Sequence, residues 1–184
     1  IAKSPLDEYK FTNTADLGIG YSHSFGNLNI NAQILNGEGF KSKQSDSHMA
    51  TYLRVLYGEG NLNKNDGYNI GLVITSFEGD SADDLDDVNL VGLFGGWASN
   101  NLRLGLEYNQ YEAYFESGEP DVENQTLTSI YANYSISETL NIFARSDRRF
   151  MMFDIPDLNN FDVTTSWIGM VYNPSKGLYI SPNI

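Results

Sequence analysis

Cysteine is absent from this chain of 184 residues. That excludes a disulfide scaffold and any thiolate metal site. Histidine is nearly absent: only His23 and His48 occur, and neither has a metal-ligand partner two or four positions after it. Both read as rim residues rather than ligands. Positive charge is scarce, with 11 Lys and Arg against 24 Asp and Glu and a net charge of −13. A nucleic-acid partner needs a basic patch, so that class of partner is excluded. No run of eighteen apolar residues occurs, which excludes a transmembrane helix. GxSxG, P-loop and dinucleotide-binding fingerprints are missing. The expectation is a protein that is not an enzyme, with no cofactor and no metal site.

What the chain has is alternation. In Asn101-Leu-Arg-Leu-Gly-Leu-Glu-Tyr-Asn109, Leu102, Leu104, Leu106 and Tyr108 fall on one side of an extended strand. Arg103, Gly105, Glu107 and Asn109 fall on the other. The period is two, not 3.6, so this is a strand with one apolar and one polar face. The same unit recurs. Residues 16–25 alternate Leu17, Ile19, Tyr21 and Phe25 against Asp16, Gly18, Gly20 and Ser22. Gly26-Asn27 is a hairpin turn, and residues 28–35 return with Asn29, Asn31 and Gln33 on the polar side. Further strands fall near 49–58, 68–77, 88–98, 102–115, 125–136, 139–147 and 162–172, and a tenth begins at Gly177. The strand at 88–98 is apolar on both sides, so its facing is ambiguous. Residues 1–14 read as a loop.

Connections alternate short and long, and four of the five prolines (Pro5, Pro120, Pro156 and Pro174) lie in them, where a missing N–H does no harm. About ten strands of roughly ten residues have the length that a tilted membrane strand needs. The fold class expected is all-β: an antiparallel up-and-down transmembrane barrel, one domain over 1–184. Mean hydropathy of −0.35 does not oppose this, since only alternate residues of a membrane barrel meet lipid.

All six lysines lie in proposed loops or turns. The strand charges Asp16, Arg54, Arg103, Glu107, Arg145 and Asp147 all fall opposite the Leu, Ile and Val set. A charge on the lipid face near the midplane costs about 2–4 kcal/mol, so these six are expected to line a wet pore. The arginines would grip phosphate or carboxylate, with Glu107 and Asp147 as partners across the pore. Pairing of Arg145 with Asp147, two apart on one face, weighs equally with pore lining. Phe25, Tyr57, Tyr68, Trp97, Tyr134 and Tyr172 gather beside the short turns, as an interfacial girdle does. The link carrying Glu78, Asp80, Asp83, Asp84, Asp86 and Asp87 is an acidic outer loop that attracts cations. It lacks EF-hand spacing, so a solvated loop outweighs a Ca²⁺ site.

Four segments carry a family resemblance: Ala15-Asp-Leu-Gly-Ile-Gly20, Leu35-Asn-Gly-Glu-Gly-Phe40, Asn141-Ile-Phe-Ala-Arg-Ser-Asp147 and Tyr172-Asn-Pro-Ser-Lys-Gly-Leu-Tyr-Ile-Ser-Pro-Asn183. In this order they resemble bacterial outer-membrane porins, most of all the phosphate-selective porin O/P type. The resemblance implies a Gram-negative outer-membrane barrel of about sixteen to eighteen strands, assembled as a trimer, that passes small solutes. Phosphate selectivity in that family needs basic lumenal residues, and no lysine cluster lies on a lumenal face here. Position 146 is Ser where the family usually has an aromatic. Phosphate selectivity is therefore not carried over.

The chain starts at Ile1 rather than Met, and its first link is short, which puts both ends on the long-loop rim. Complete barrels keep both ends on the short-turn rim and close on an aromatic terminal strand. A piece of a larger barrel is expected. The functional expectation is passive diffusion of small hydrophilic solutes or ions, with membrane lipid and a homo-oligomer as partners. The alternatives are a soluble acidic β-sandwich that binds Ca²⁺ or glycans through its loops, and a non-conducting outer-membrane scaffold.

Overall fold

The computed structural model describes residues 4–9, 16–37, 49–77, 88–113, 123–152 and 160–184. A single turn of helix, α1 (Pro5–Glu8), precedes ten strands: β1 (Gly18–Phe25), β2 (Leu28–Leu35), β3 (Ala50–Gly58), β4 (Gly67–Phe77), β5 (Val88–Ser99), β6 (Leu102–Ala113), β7 (Glu123–Ser135), β8 (Leu140–Met152), β9 (Phe161–Ser175) and β10 (Leu178–Ile180). Each strand pairs antiparallel with the next, in one sheet ordered β1 to β10. The sheet is not closed. Because all ten strands share one sheet, no second layer exists among the described residues to make a β-sandwich.

The links follow their residues. Gly26, at φ 59°, turns β1 into β2 and brings Phe25 opposite Leu28. Asn100, at φ 51°, does the same between β5 and β6, a conformation that Asn tolerates better than most side chains. In the 59–66 turn the Glu59 carboxylate accepts from the Asn61 backbone N–H (2.8 Å) and from Asn65 Nδ2 (3.1 Å). Those two hydrogen bonds hold the exposed Glu59 carboxyl below its ordinary range. Past β10, Ile184 exchanges two backbone hydrogen bonds of 3.0 Å with Ile168, so the pairing with β9 continues to residue 184.

Register separates two faces. The outer one carries Ile19, Tyr21, Ile34, Ile70, Ile74, Val91, Leu93, Leu104, Leu106, Ile130, Ile142, Ile168 and Met170, all exposed. The six girdle aromatics are exposed on the same face, next to the short links. They do not sit on one register line. The line through Phe25 crosses the sheet and reaches β9 at Ser166, six residues from Tyr172. Six residues are about 20 Å of strand, against about 38 Å across eight strand spacings. A level girdle therefore requires strands tilted by roughly 30°, near the tilt of membrane barrels.

The inner face departs from expectation in two ways. First, residues 4–9 are not only loop. Ser4 Oγ accepts from the Asp7 N–H (3.3 Å) and starts α1. Second, the inner wall is not uniformly polar. Val73, Leu90 and Leu127 form a buried cluster on it, and Leu6, Tyr9, Tyr52, Phe94 and Tyr111 pack against that cluster. This resolves the doubly apolar strand: the inward side of β5 is apolar because residues 4–9 cover it. Strand charges are also more numerous than the sequence reading held. β8 runs on to Met152 and adds Arg148 and Arg149. Arg148 points outward, where it forms a two-pronged pair with Asp162 of β9 (Nε–Oδ1 3.0 Å, Nη2–Oδ2 2.6 Å). So the strand charges do not all lie on the inner face.

Candidate functional site

The site is the inner wall from β3 to β9, with residues 4–9 laid over it. Two register rows build its centre. One row runs Glu107, Ser129, Asp147, Thr165 and the next Gly105, Tyr131, Arg145, Trp167, because strand pairing sets these residues side by side on neighbouring strands. Arg145 Nε donates to Asp147 Oδ1 (2.9 Å), and its Nη2 donates to Oδ2. Asp147 is fully buried, and the guanidinium is almost so. Glu107 Oε2 accepts from Asn109 Nδ2 (3.5 Å). Near this centre lies the Tyr9 phenol, raised above its ordinary range chiefly by burial.

Arginines lie over aromatic rings along the wall. Arg54 sits 4.9 Å from the Phe94 ring centre, Arg145 5.0 Å from Trp167, and Arg149 5.5 Å from Tyr9 and 5.4 Å from Phe161. A ring face attracts the cation and fixes a long side chain against the wall. Arg149 in this way ties Tyr9, and with it residues 4–9, to β8 and β9.

Of the residues singled out from sequence, Glu107, Arg145 and Asp147 come together on the inner wall, and Arg54 shares that face three strands away from Glu107. Arg103 shares that face but stays at the short-link rim, where Nη1 donates to the Asn100 carbonyl (3.0 Å). Asp16 lies outside the strands. Its carboxylate accepts from the Leu17 N–H (2.7 Å) and the Gly37 N–H (2.8 Å), tying the end of β2 to the start of β1. It is a strand tie rather than a wall charge. The acidic loop of Glu78, Asp80, Asp83, Asp84, Asp86 and Asp87 lies outside the described residues, as does His48. His23 stands on the outer face between Tyr21 and Phe25, its ring edge-on to Phe25 at 4.3 Å. No group of His, Asp and Glu able to hold a metal ion occurs among the described residues.

Sequence reasoning missed Arg149, Tyr9 and Trp167. Alternation along 147–151 could have found Arg149, since it shares a face with Asp147. Nothing local signals Tyr9, because it packs on a cluster drawn from β4, β5 and β7 and against Arg149 of β8.

An up-and-down antiparallel sheet with an apolar, aromatic-rimmed exterior and a charged inner wall has the pattern of the outer-membrane porin type of β-barrel fold. Solved structures agree. The chain is similar to a porin refined at 1.8 Å (TM-score 0.66, 15% identity, 91% of this chain and 55% of that one). It is likewise similar to OmpT, an outer membrane protein of Vibrio cholerae (TM-score 0.67, 14% identity, 92% and 52%), and to a loop L8 deletion mutant of OmpT (TM-score 0.66, 14% identity, 90% and 55%). The chain thus spans about half the length of the structures it matches. No protein-family model and no curated protein matches it.

Proposed function

We propose that this chain forms part of the wall of an outer-membrane channel through which small hydrophilic solutes and ions diffuse passively. The observation that carries this is the opposition of the two faces. Leu104, Leu106 and Ile130 look outward, while Arg103, Gly105, Glu107 and Tyr131, their neighbours along the strands, look inward. Lipid accepts the first set, and a water-filled interior accepts the second. Residues 4–9 narrow that interior from one side. Selection is by pore size and by wall and rim charge, with no covalent step and no cofactor.

Arg145 is neutralised by Asp147, so the wall holds no unopposed cation there. The acidic loops bias entry toward cations over about a Debye length, ~8 Å at physiological salt. Phosphate selectivity is not part of the proposal. Assembly as a trimer is part of it, by resemblance to porins. The test is current through a planar lipid bilayer after adding the detergent-purified protein. Discrete conductance steps with weak cation preference are expected. A tight membrane at saturating protein would sink the reading and leave a scaffold.

A further inference from the structure

The outward face is apolar within the membrane band on most strands, but not on β7, β8 and β9. Six residues along each strand from the girdle residue, or from the residue paired with it, stand Ile19, Ile34, Thr51, Ile74, Val91 and Tyr108 on β1 to β6. The same count reaches Thr128, Ser146 and Ser166 on β7 to β9. Six residues are about 20 Å of strand, or about 17 Å of height at a tilt of roughly 30°, which is inside an apolar band about 25 Å tall. Three adjacent strands thus turn hydroxyls outward where lipid tails would lie. Thr51 has its need met within the sheet, since its Oγ1 donates to the Ser76 carbonyl (3.4 Å). Ser146 and Ser166 share one hydrogen bond, so one of their two O–H groups is left without an acceptor in that pair.

The next register row sets Thr128, Arg148 and Thr164 side by side. Arg148 and Asp162 form their two-pronged pair beside these hydroxyls, and the two side chains remain 62% and 43% exposed. Lipid tails offer neither donor nor acceptor to any of these groups. An anionic headgroup finds no net charge to hold it, because Asp162 already cancels Arg148. What fits the patch is a second polar wall. Hydroxyls both donate and accept, and the patch carries one cation and one anion. A second copy turned about the membrane normal therefore presents the same hydroxyls and, to each charge, its opposite. We propose that the outward face of β7–β9, around Thr128, Ser146, Ser166 and the Arg148–Asp162 pair, is a contact between copies of this chain in the membrane. The contact deepens the channel reading by giving its assembly a surface, and it rests on that reading for the lipid around it.

Two experiments on the full chain test it. The first weighs the protein in detergent by light scattering on a sizing column. The parent should run as two or more copies, and a single copy overturns the contact. The triple variant Thr128→Leu, Ser146→Leu, Ser166→Leu carries an apolar face that lipid accepts, and it should run as one copy. Thr51→Leu, on the same face but on β3, should keep the parent's mass. A triple variant that also keeps the parent's mass overturns the contact. The second experiment uses the lack of cysteine, which makes single-cysteine variants clean. In bilayers a short bifunctional maleimide should join copies at Thr164→Cys and not at Ile74→Cys. It carries the test if the triple variant does not fold. Equal joining at both sites, or joining at neither, overturns the contact. So does an outer-leaflet glycolipid that stays with a single-copy parent and is lost from Arg148→Leu. A parent oligomer that passes no current defeats the channel reading alone. Current steps from a single copy uphold that reading and overturn the contact.

Discussion

Asp147 is the residue on which the inner wall depends most. It is buried, and it accepts both prongs of the Arg145 guanidinium. Its loss would strand a nearly buried cation, and breaking such a pair from one side costs about 3–5 kcal/mol. Asp147→Ala should therefore lower the unfolding free energy of the refolded barrel, read by urea titration, by an amount in that range. An unchanged midpoint would mean that water already screens the pair. Gly58 is demanding for a different reason. It stands at φ 108°, and a Cβ there would meet the Tyr68 carbonyl oxygen at 2.2 Å. Gly58→Ala combines an unfavourable backbone with a clash and should cost about 1–3 kcal/mol in the same urea titration.

Among the strands, β8 and β9 carry the least ordinary outward face. Ser146 and Ser166 lie opposite each other there and share a 2.9 Å hydrogen bond. One hydroxyl donates to the other where lipid offers no partner. Replacing one by Ala should cost about 1–3 kcal/mol, while replacing both should be nearly neutral. A double-mutant cycle reads the difference, and additive losses would contradict the pairing. Facing is tested by Leu106→Arg against Ser22→Arg. The first puts a cation on the lipid face, at about 2–4 kcal/mol, and the second puts it on the inner face, at far less. The 59–66 turn has its own pH dependence. The Glu59 carboxyl is lowered on folding, so the stability it lends is full above its unfolded pKa. That stability is lost as pH falls through the lower folded value. Protection of the Asn61 amide, judged by its exchange rate relative to the intrinsic rate at the same pH, should fall below the ordinary carboxylate range and hold at neutral pH. These elements were readable in advance to different depths. The strands and the outward face of β6 were plain from alternation. The length of β8 was not, because Asp147-Arg-Arg149 looks like the start of a loop until β7 and β9 are seen to pair with it out to Met152 and Met151.

The assembled sheet presents a broad apolar exterior, from Ile19 on β1 to Ile168 on β9, with both residues more than 60% exposed. Soluble monomers rarely expose patches beyond a few hundred Å². The protein should stay monodisperse only in detergent or lipid, and removal of detergent on a sizing column should bring it out in the void. In bilayers the proposed cation preference should be strongest at low salt and should fade as the Debye length shrinks toward ~3 Å at 1 M. A preference that ignores salt would move selectivity from the acidic loops to the wall.

Which way a side chain points was determined by the sequence alone. Facing is a property of a residue's own strand, and period two reports it without reference to any neighbour. The outward facing of Phe25, Tyr57, Tyr68, Trp97, Tyr134 and Tyr172, and the inward turn of Arg54, Arg103, Glu107, Arg145 and Asp147, were legible for that reason. What each side chain touches was decided only by the tertiary structure. Register sets Phe94 beside Gly71 and Tyr131 beside Gly105, and register is a relation between strands. Arg145 could have faced water or Asp147, and burial of the carboxylate made the choice. Asp16 reads as a wall charge until the end of β2 arrives with the Gly37 N–H. Residues 4–9 read as a loop until the apolar cluster of Val73, Leu90 and Leu127, drawn from β4, β5 and β7, offers Leu6 and Tyr9 a surface to cover. Such partners come from distant parts of the chain, so no local pattern can announce them.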